Sequence, residues 1–244
     1  MKKALPIITA VLLLLYMAYG IFFMTDSHEE VRVCNGIDLA VHDSLKSDMV
    51  THAMVMDMLR EKGIDPTGKT LDVALLDSME SVLCMHPFIE RAQCYKTAGD
   101  LVKIEISTKV PLVRVRNWRG QDFYVDSHGS ILPCRSIAVH VPVATGYIDR
   151  NFASNQLLSV IQAINADDFW KAQIEQMNVT QNGFIELVPR VGHHLLEIGS
   201  ADNVSDKLDR LMNFYKKGLD EIGWNKYSVI SVAYDGQVVC RKRK

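Results

Sequence analysis

The stretch "FIERAQCYKTAGDLVKIEIST", residues 88–108, reads as two strands joined by a tight turn. In its second half Val102, Ile104 and Ile106 alternate with Lys103, Glu105 and Ser107, which puts one face in a core and the other in water. Ala98, Gly99 and Asp100 between the halves are turn-forming residues. Upstream, apolar residues recur twice at the helical period. In "THAMVMDMLREKG", residues 51–63, Met54, Val55, Met58 and Leu59 share a face, Thr51 can cap the helix and Gly63 can stop it. In "LLDSMESVLCMHP", residues 75–87, Leu75, Leu76, Met79, Val82 and Leu83 share a face, and Pro87 disfavours helical geometry at His86. "VRVCNGI", residues 31–37, reads as a strand, so the order predicted is β-α-α-β-β.

Further upstream, "MKKALPIITAVLLLLYMAYGIFFMT" carries Lys2 and Lys3 and then no charge until Asp26. As a helix, the apolar run over residues 5–24 is about 30 Å long, the thickness of a bilayer core. Pro6 falls in the first turn, where a proline loses no helical hydrogen bond. Ala18 and Gly20 offer the small residues of a signal-peptide cut. Ile21, Phe22, Phe23 and Met24 continue the apolar run past them, which favours an uncleaved anchor. The basic pair precedes the span and "DSHEE" follows it, so the positive-inside rule keeps the N-terminus in the cytoplasm and exports the rest.

The 244 residues suffice for one large or two small domains behind such an anchor. Removing Lys2 and Lys3 from 27 basic against 29 acidic residues leaves a formal charge of −4, which gives no footprint for nucleic acid. The five cysteines, Cys34, Cys84, Cys94, Cys134 and Cys240, match no zinc spacing, and an odd number cannot all pair. Export permits a disulfide, with Cys84 and Cys94 nearest in sequence. Small buried apolar residues are the simpler reading.

Beyond Pro111 the chain turns to short strands. "LVRVRNW" and "QDFYVD" flank Arg119-Gly120, a hairpin signal. "DSHG", residues 126–129, follows. Asp126 can bond the backbone ahead of it and Gly129 can take a positive φ, which is what a tight turn needs. Asp126, Ser127 and His128 are the residue types of a serine-type triad, but such a site converges from separate elements, and neighbours on one turn point apart. No catalytic residue is therefore expected. "SNQLLSVIQAINADDFWKAQI", residues 154–174, is helical, with Leu157, Leu158, Ile161 and Ile164 on one face. "IEQMNVT", "GFIELVP" and "HHLLEIG" read as strands. Residues 201–224 form a helix with a stripe of Val204, Leu208, Leu211, Tyr215 and Ile222, ended by Gly223. Asp235-Gly236 is a strong hairpin signal between strands at residues 228–234 and 237–240.

The remaining chemistry-bearing residues read as structural. His193 and His194 are adjacent in a strand, face opposite sides and do not hold one metal well. Asp167-Asp168 caps a helix. Cys84, His86 and Cys94 lack a fourth ligand for a closed zinc site, so no metal is expected. Asn178-Val179-Thr180 fits a glycosylation sequon, a pattern frequent by chance.

The β-α-α-β-β order, with Pro87, Ile89, Ala92 and Cys94 at the first strand, the second strand over residues 101–106, and Pro111 and Arg114 after it, resembles the POTRA domain of the FtsQ/DivIB cell-division family. The later chain is similar too. Tyr124, Asp126 and Gly129 lie between two strands, Pro142 and Gly146 follow, Gly199, Lys207 and Leu208 flank and open the long helix, and "ISVAY" precedes the last turn. Cys94 replaces the usual valine, Thr108-Lys109-Val110 stands where a Glu- or Gln-Arg pair is common, and Ser231 and Ala233 replace an Asp and an Arg.

The resemblance implies an α+β protein: a transmembrane helix, a POTRA domain, and a second mixed, mainly antiparallel sheet domain with flanking helices. The expected divisions are a cytoplasmic 1–4, a helix at 5–24, the POTRA domain at 25–110 and the β domain at 111–244. It implies no reaction and no cofactor. It implies a scaffold in the cell inner membrane, its C-terminal domains periplasmic, that ties early to late division proteins at the septum, chiefly FtsB-like and FtsL-like partners and other divisome components. Docking is expected by strand addition to an exposed edge. The residues expected to offer that edge are Ser228, Val229, Ile230, Ser231, Val232, Ala233 and Tyr234, held by the Asp235-Gly236 turn. Two other classes compete: a membrane-anchored periplasmic hydrolase, and a POTRA docking protein of secretion or outer-membrane assembly. The latter calls for a following β-barrel of many strands, whereas the chain beyond Leu112 contains two good helices.

Overall fold

A computed structural model of the chain describes residues 12–20, 33–43, 49–97, 99–134, 139–219 and 223–243. Residues 12–20 are helical, and Leu12, Leu13, Leu14 and Leu15 are each more than 60% exposed. The rest of the apolar run at 5–24 lies outside the described residues, as does Ile222. Among the described residues no helix is long and apolar enough to cross a membrane.

The first unit contains β1 (Gly36–His42), α1 (His52–Glu61), α2 (Val73–Cys84), β2 (Ile89–Lys96) and β3 (Leu101–Thr108). Both helices begin at side-chain caps. The Thr51 hydroxyl accepts from Met54 N–H at 3.3 Å, and the Asp72 carboxylate from Leu75 N–H at 2.7 Å. The strand order is β1-β3-β2, with β1 parallel and β2 antiparallel to β3. Val102, Ile104 and Ile106 bury one face of β3 against Val55 and Leu59 of α1 and Met79 and Leu83 of α2. The first strand starts later than its apolar residues suggest. Val33 makes only a lone bridge to Thr70, and the strand begins at Gly36, where the chain comes alongside Leu101.

The rest of the chain builds one larger sheet from β4 (Pro111–Asn117), β5 (Asp122–Asp126), β6 (Ile131–Pro133), β7 (Val143–Gly146), β8 (Ile174–Val179), β9 (Ile185–Pro189), β10 (Leu195–Gly199), β11 (Tyr227–Ser231) and β12 (Val239–Lys242). Among the described residues the order is β12-β11-β10-β9-β8-β7-β4-β5-β6. A long helix, α3, runs from Arg150–Phe152 through a wide π-turn at Ala153–Leu157 into Leu158–Asn165. It and the short α4 (Asp168–Gln173) connect β7 to β8. Helix α5 (Val204–Phe214), continued by a π-turn at Tyr215–Leu219, connects β10 to β11. Both connections join parallel neighbours and are βαβ crossovers, so β4, β7 and β8 run parallel, as do β10 and β11, inside a mainly antiparallel sheet. Helices α3 and α5 bring Leu157, Ile161, Ile164, Leu208 and Leu211 onto the face formed by Val113, Val115, Met177, Leu187, Leu196 and Ile230.

The hairpin β5–β6 serves both cores. Phe123 and Val125 belong to the larger core, while Tyr124 and Leu132 complete the core of the first unit. The period-two alternation of a strand is what lets one strand divide its side chains in this way.

Candidate partner-binding edge

Residues 228–234 do not form the free edge that the resemblance implies. β11 lies between β10 and β12, pairing Leu195↔Val229, Leu196↔Ile230 and Glu197↔Ser231 on one side, and Val229↔Arg241, Ile230↔Cys240 and Ser231↔Val239 on the other. The strand also stops at Ser231. Val232 N–H donates to Glu197 O at 2.9 Å, and the Arg210 guanidinium of α5 reaches Val232 O at 3.1 Å and Tyr234 O at 3.4 Å. With these groups taken, the Asp235-Gly236 turn sits in a seven-residue loop, Gly236 at φ 67°, and not in a two-residue hairpin. Ile230, Ser231 and Val232 are buried, Ser228, Val229 and Ala233 are half-buried, and Tyr234 is exposed.

Among the described residues β12 is the end strand on this side of the sheet, with β6 at the other end. Arg243 N–H donates to Lys226 O at 3.0 Å and the Ser228 hydroxyl donates to Arg241 O at 3.3 Å, so the main-chain groups of Arg241 and Arg243 face β11. Main-chain polar groups alternate sides along a strand, so those of Cys240 and Lys242 face away from the sheet. Val239, Arg241 and Lys242 are exposed, while Cys240 packs against the core. Basic side chains on an edge hinder pairing of like copies and leave the edge open to a segment of opposite charge.

The edge rests on an unusual interior. His194 Nε2 and the Tyr215 hydroxyl are 2.6 Å apart and buried, ringed by Trp170 and Trp224. Burial lowers the His194 pKa, and the nearby positive Arg243 lowers it further. Burial also raises the Tyr215 hydroxyl. Arg243 donates to the His193 carbonyl, tying the end of β12 to this cluster. Helix α5 is held at its start by Lys207, whose ammonium is sunk beneath the surface and donates to Ser200 O at 2.8 Å. Burial lowers its pKa, and Asp202 and Asp235 oppose that shift. Neither Arg210 nor this aromatic cluster was legible from local pattern, because their partners lie across the sheet.

Residues 110–241 match the family described as FtsQ/DivIB, C-terminal related, and residues 32–107 match a POTRA-like domain. The chain belongs to the FtsQ/DivIB family. No curated protein matches it.

The positions that resemble FtsQ/DivIB have structural work in this chain. Arg114 makes a two-pronged pair with Asp122, at 2.9 and 2.6 Å, across β4 and β5. The pair raises the Arg114 pKa and lowers that of Asp122. Asp126 Oδ1 accepts from His128 N–H at 2.9 Å and Ser130 N–H at 2.7 Å, and Gly129 sits at φ 80°. Ser127 Oγ and His128 Nδ1 are 3.2 Å apart on the exposed turn, but Asp126 does not orient the ring: its Oδ1 accepts from backbone and its buried Oδ2 makes no hydrogen bond. Asp167 caps α4 through Phe169 and Trp170 N–H. Asn178 is half-buried in β8, its amide donating to Glu186 at 2.8 Å. All five cysteines are free, and burial pushes the Cys94 thiol up to about 12.

Proposed function

We propose that this chain is a non-enzymatic scaffold of the bacterial division machinery. It is anchored in the inner membrane by the apolar N-terminal segment, with both folded units in the periplasm. It docks a partner strand on β12 at the septum, and FtsB-like and FtsL-like proteins are the partners that the family suggests.

One observation carries the docking reading: among the described residues β12 ends the sheet, with the main-chain groups of Cys240 and Lys242 turned outward. Unpaired strand groups are satisfied by a segment that continues the ladder, and an added strand gains affinity from main-chain bonds and register from alternate side chains. The anchor is supported by Lys2 and Lys3 ahead of an apolar run whose described residues, 12–20, are helical and expose their leucines.

The test is cell length on depletion in the host, with rescue by the wild-type gene and by Lys242→Pro. Long undivided filaments with separated nucleoids, rescued by the wild type but not by the folded variant, support both role and edge. Normal division on depletion removes the role. Full rescue by the variant removes the edge.

A further inference from the structure

The starting ends of three parallel neighbours, β4, β7 and β8, do not close on one another. A groove of about 650 Å³ opens there, within the size range of binding pockets. Val110 and Leu112 line it from the entry to β4, Val141 and Val143 from the entry to β7, and Ile174 from β8. Pro111 and Pro142 lie among them and offer no backbone N–H, which keeps the lining apolar. Helix α4 contributes Lys171 and Ala172, both exposed. The groove shares no residue with β12, so it stands apart from the proposed docking edge.

The charges at the rim do not balance. The Arg190 guanidinium donates to the Glu175 carboxylate at 2.7 Å, so those two cancel. Among the described residues no acidic side chain pairs with Lys171. The groove therefore presents an apolar lining with one uncompensated ammonium beside it. Asn165 and His140 also line it, and polar groups spread along a groove suit the successive amides of an extended chain. An acyl chain needs none of them.

We infer that this groove docks an extended apolar segment of a partner protein bearing an acidic side chain, its carboxylate set against Lys171. The lining runs from Val110, just past the last strand of the first unit, to β7 and β8, so an occupant lies on the second unit beside its junction with the first.

The test begins with two probes that share a ring system, 8-anilinonaphthalene-1-sulfonate and the uncharged N-phenyl-1-naphthylamine, titrated into the full chain. Ala172→Trp fills the groove from an exposed helical position, so the readout is the fluorescence that this variant loses. Any background from exposed residues 12–20 is common to both proteins. The groove component should saturate and prefer the sulfonate by up to about fivefold, the scale of an exposed ion pair. Lys171→Glu should reverse that preference while leaving the uncharged probe bound. Equal signals from the wild type and Ala172→Trp, with unchanged circular dichroism, overturn the site. A charge preference that survives Lys171→Glu overturns the role of that lysine. The occupant is identified by Ala172→p-benzoylphenylalanine in the full chain, photolysed in its host, and by mass spectrometry of the adduct. An apolar peptide of another protein containing Asp or Glu is the expected product. A lipid adduct, an adduct with a second copy of this chain, or none overturns the assignment.

Discussion

Lys242→Pro separates docking from folding, because the backbone of β12 has two inequivalent sides. Residues Arg241 and Arg243 turn their main-chain groups toward β11, so a proline at Lys242 deletes an N–H that the sheet does not use. Proline is tolerated on an edge when its missing N–H would have faced outward. An added strand loses one net hydrogen bond, about 0.5–1.5 kcal/mol, and meets the pyrrolidine ring as well. Partner affinity should therefore fall about fivefold or more. The variant's own stability should shift by no more than about 0.5 kcal/mol, as for an ordinary surface change. Arg241→Pro is the mirror case. It removes an N–H on the β11 side and should cost about 1–3 kcal/mol of stability by stranding a ladder acceptor. Isothermal titration with the FtsB-like protein of the same host, paired with thermal melts of each variant, reads both quantities. A folded Lys242→Pro that binds like the wild type refutes docking at this edge. A Lys242→Pro that melts as early as Arg241→Pro refutes the assignment of inward and outward sides.

Three further outcomes follow from the interior. Burial holds the His194 pKa below its ordinary value of 6.5, so the unfolded chain binds that proton first; stability is full above 6.5 and drains as pH falls toward the lower folded value. A melting-temperature profile should show this acid limb in the wild type, and His194→Phe should flatten it while costing about 1–3 kcal/mol for the stranded Tyr215 hydroxyl. Gly129→Ala should lower stability by about 1–3 kcal/mol in urea titrations, because its φ is 80° and an added Cβ meets Ser154 O at 2.8 Å. Ile104→Ala should cost about 2–5 kcal/mol, since the side chain is fully buried at the centre of the first unit, and its effect should appear as an earlier transition in calorimetry.

Local pattern carried the first unit almost whole. Val102, Ile104 and Ile106 declared their strand by alternation, Thr51 declared a helix start, and both are where the chain puts them. The first strand slipped: Val33 marked a strand, but the partner that completes it begins at Leu101, so the strand starts at Gly36. The Asp126–Gly129 stretch was equally legible, since a turn's chemistry is contained within the turn. The groove at β4, β7 and β8 left no such mark. Its walls come from segments as far apart as Val110 and Arg190, and nothing in either segment names the other.

The edge shows where local reading stops. Asp235-Gly236 is a hairpin signal, and a hairpin does follow: β11 and β12 are antiparallel neighbours. A hairpin signal says that two strands pair, not which of them has a second partner. That is decided by α5, which carries the chain from the end of β10 back over the sheet, so that β11 must run parallel to β10 and lie against it. With one side of β11 taken by β10 and the other by the hairpin, the open groups fall to β12. The burial of the two strands agrees with this position: β11 is buried or half-buried throughout, and β12 is mostly exposed. Buried Ile230 and Ser231 suit a strand with a neighbour on either side, whereas exposed Arg241 and Lys242 suit a strand whose outer side is left to water or to a partner. Burial pattern within the hairpin therefore orders the two strands correctly, and the hairpin signal alone does not.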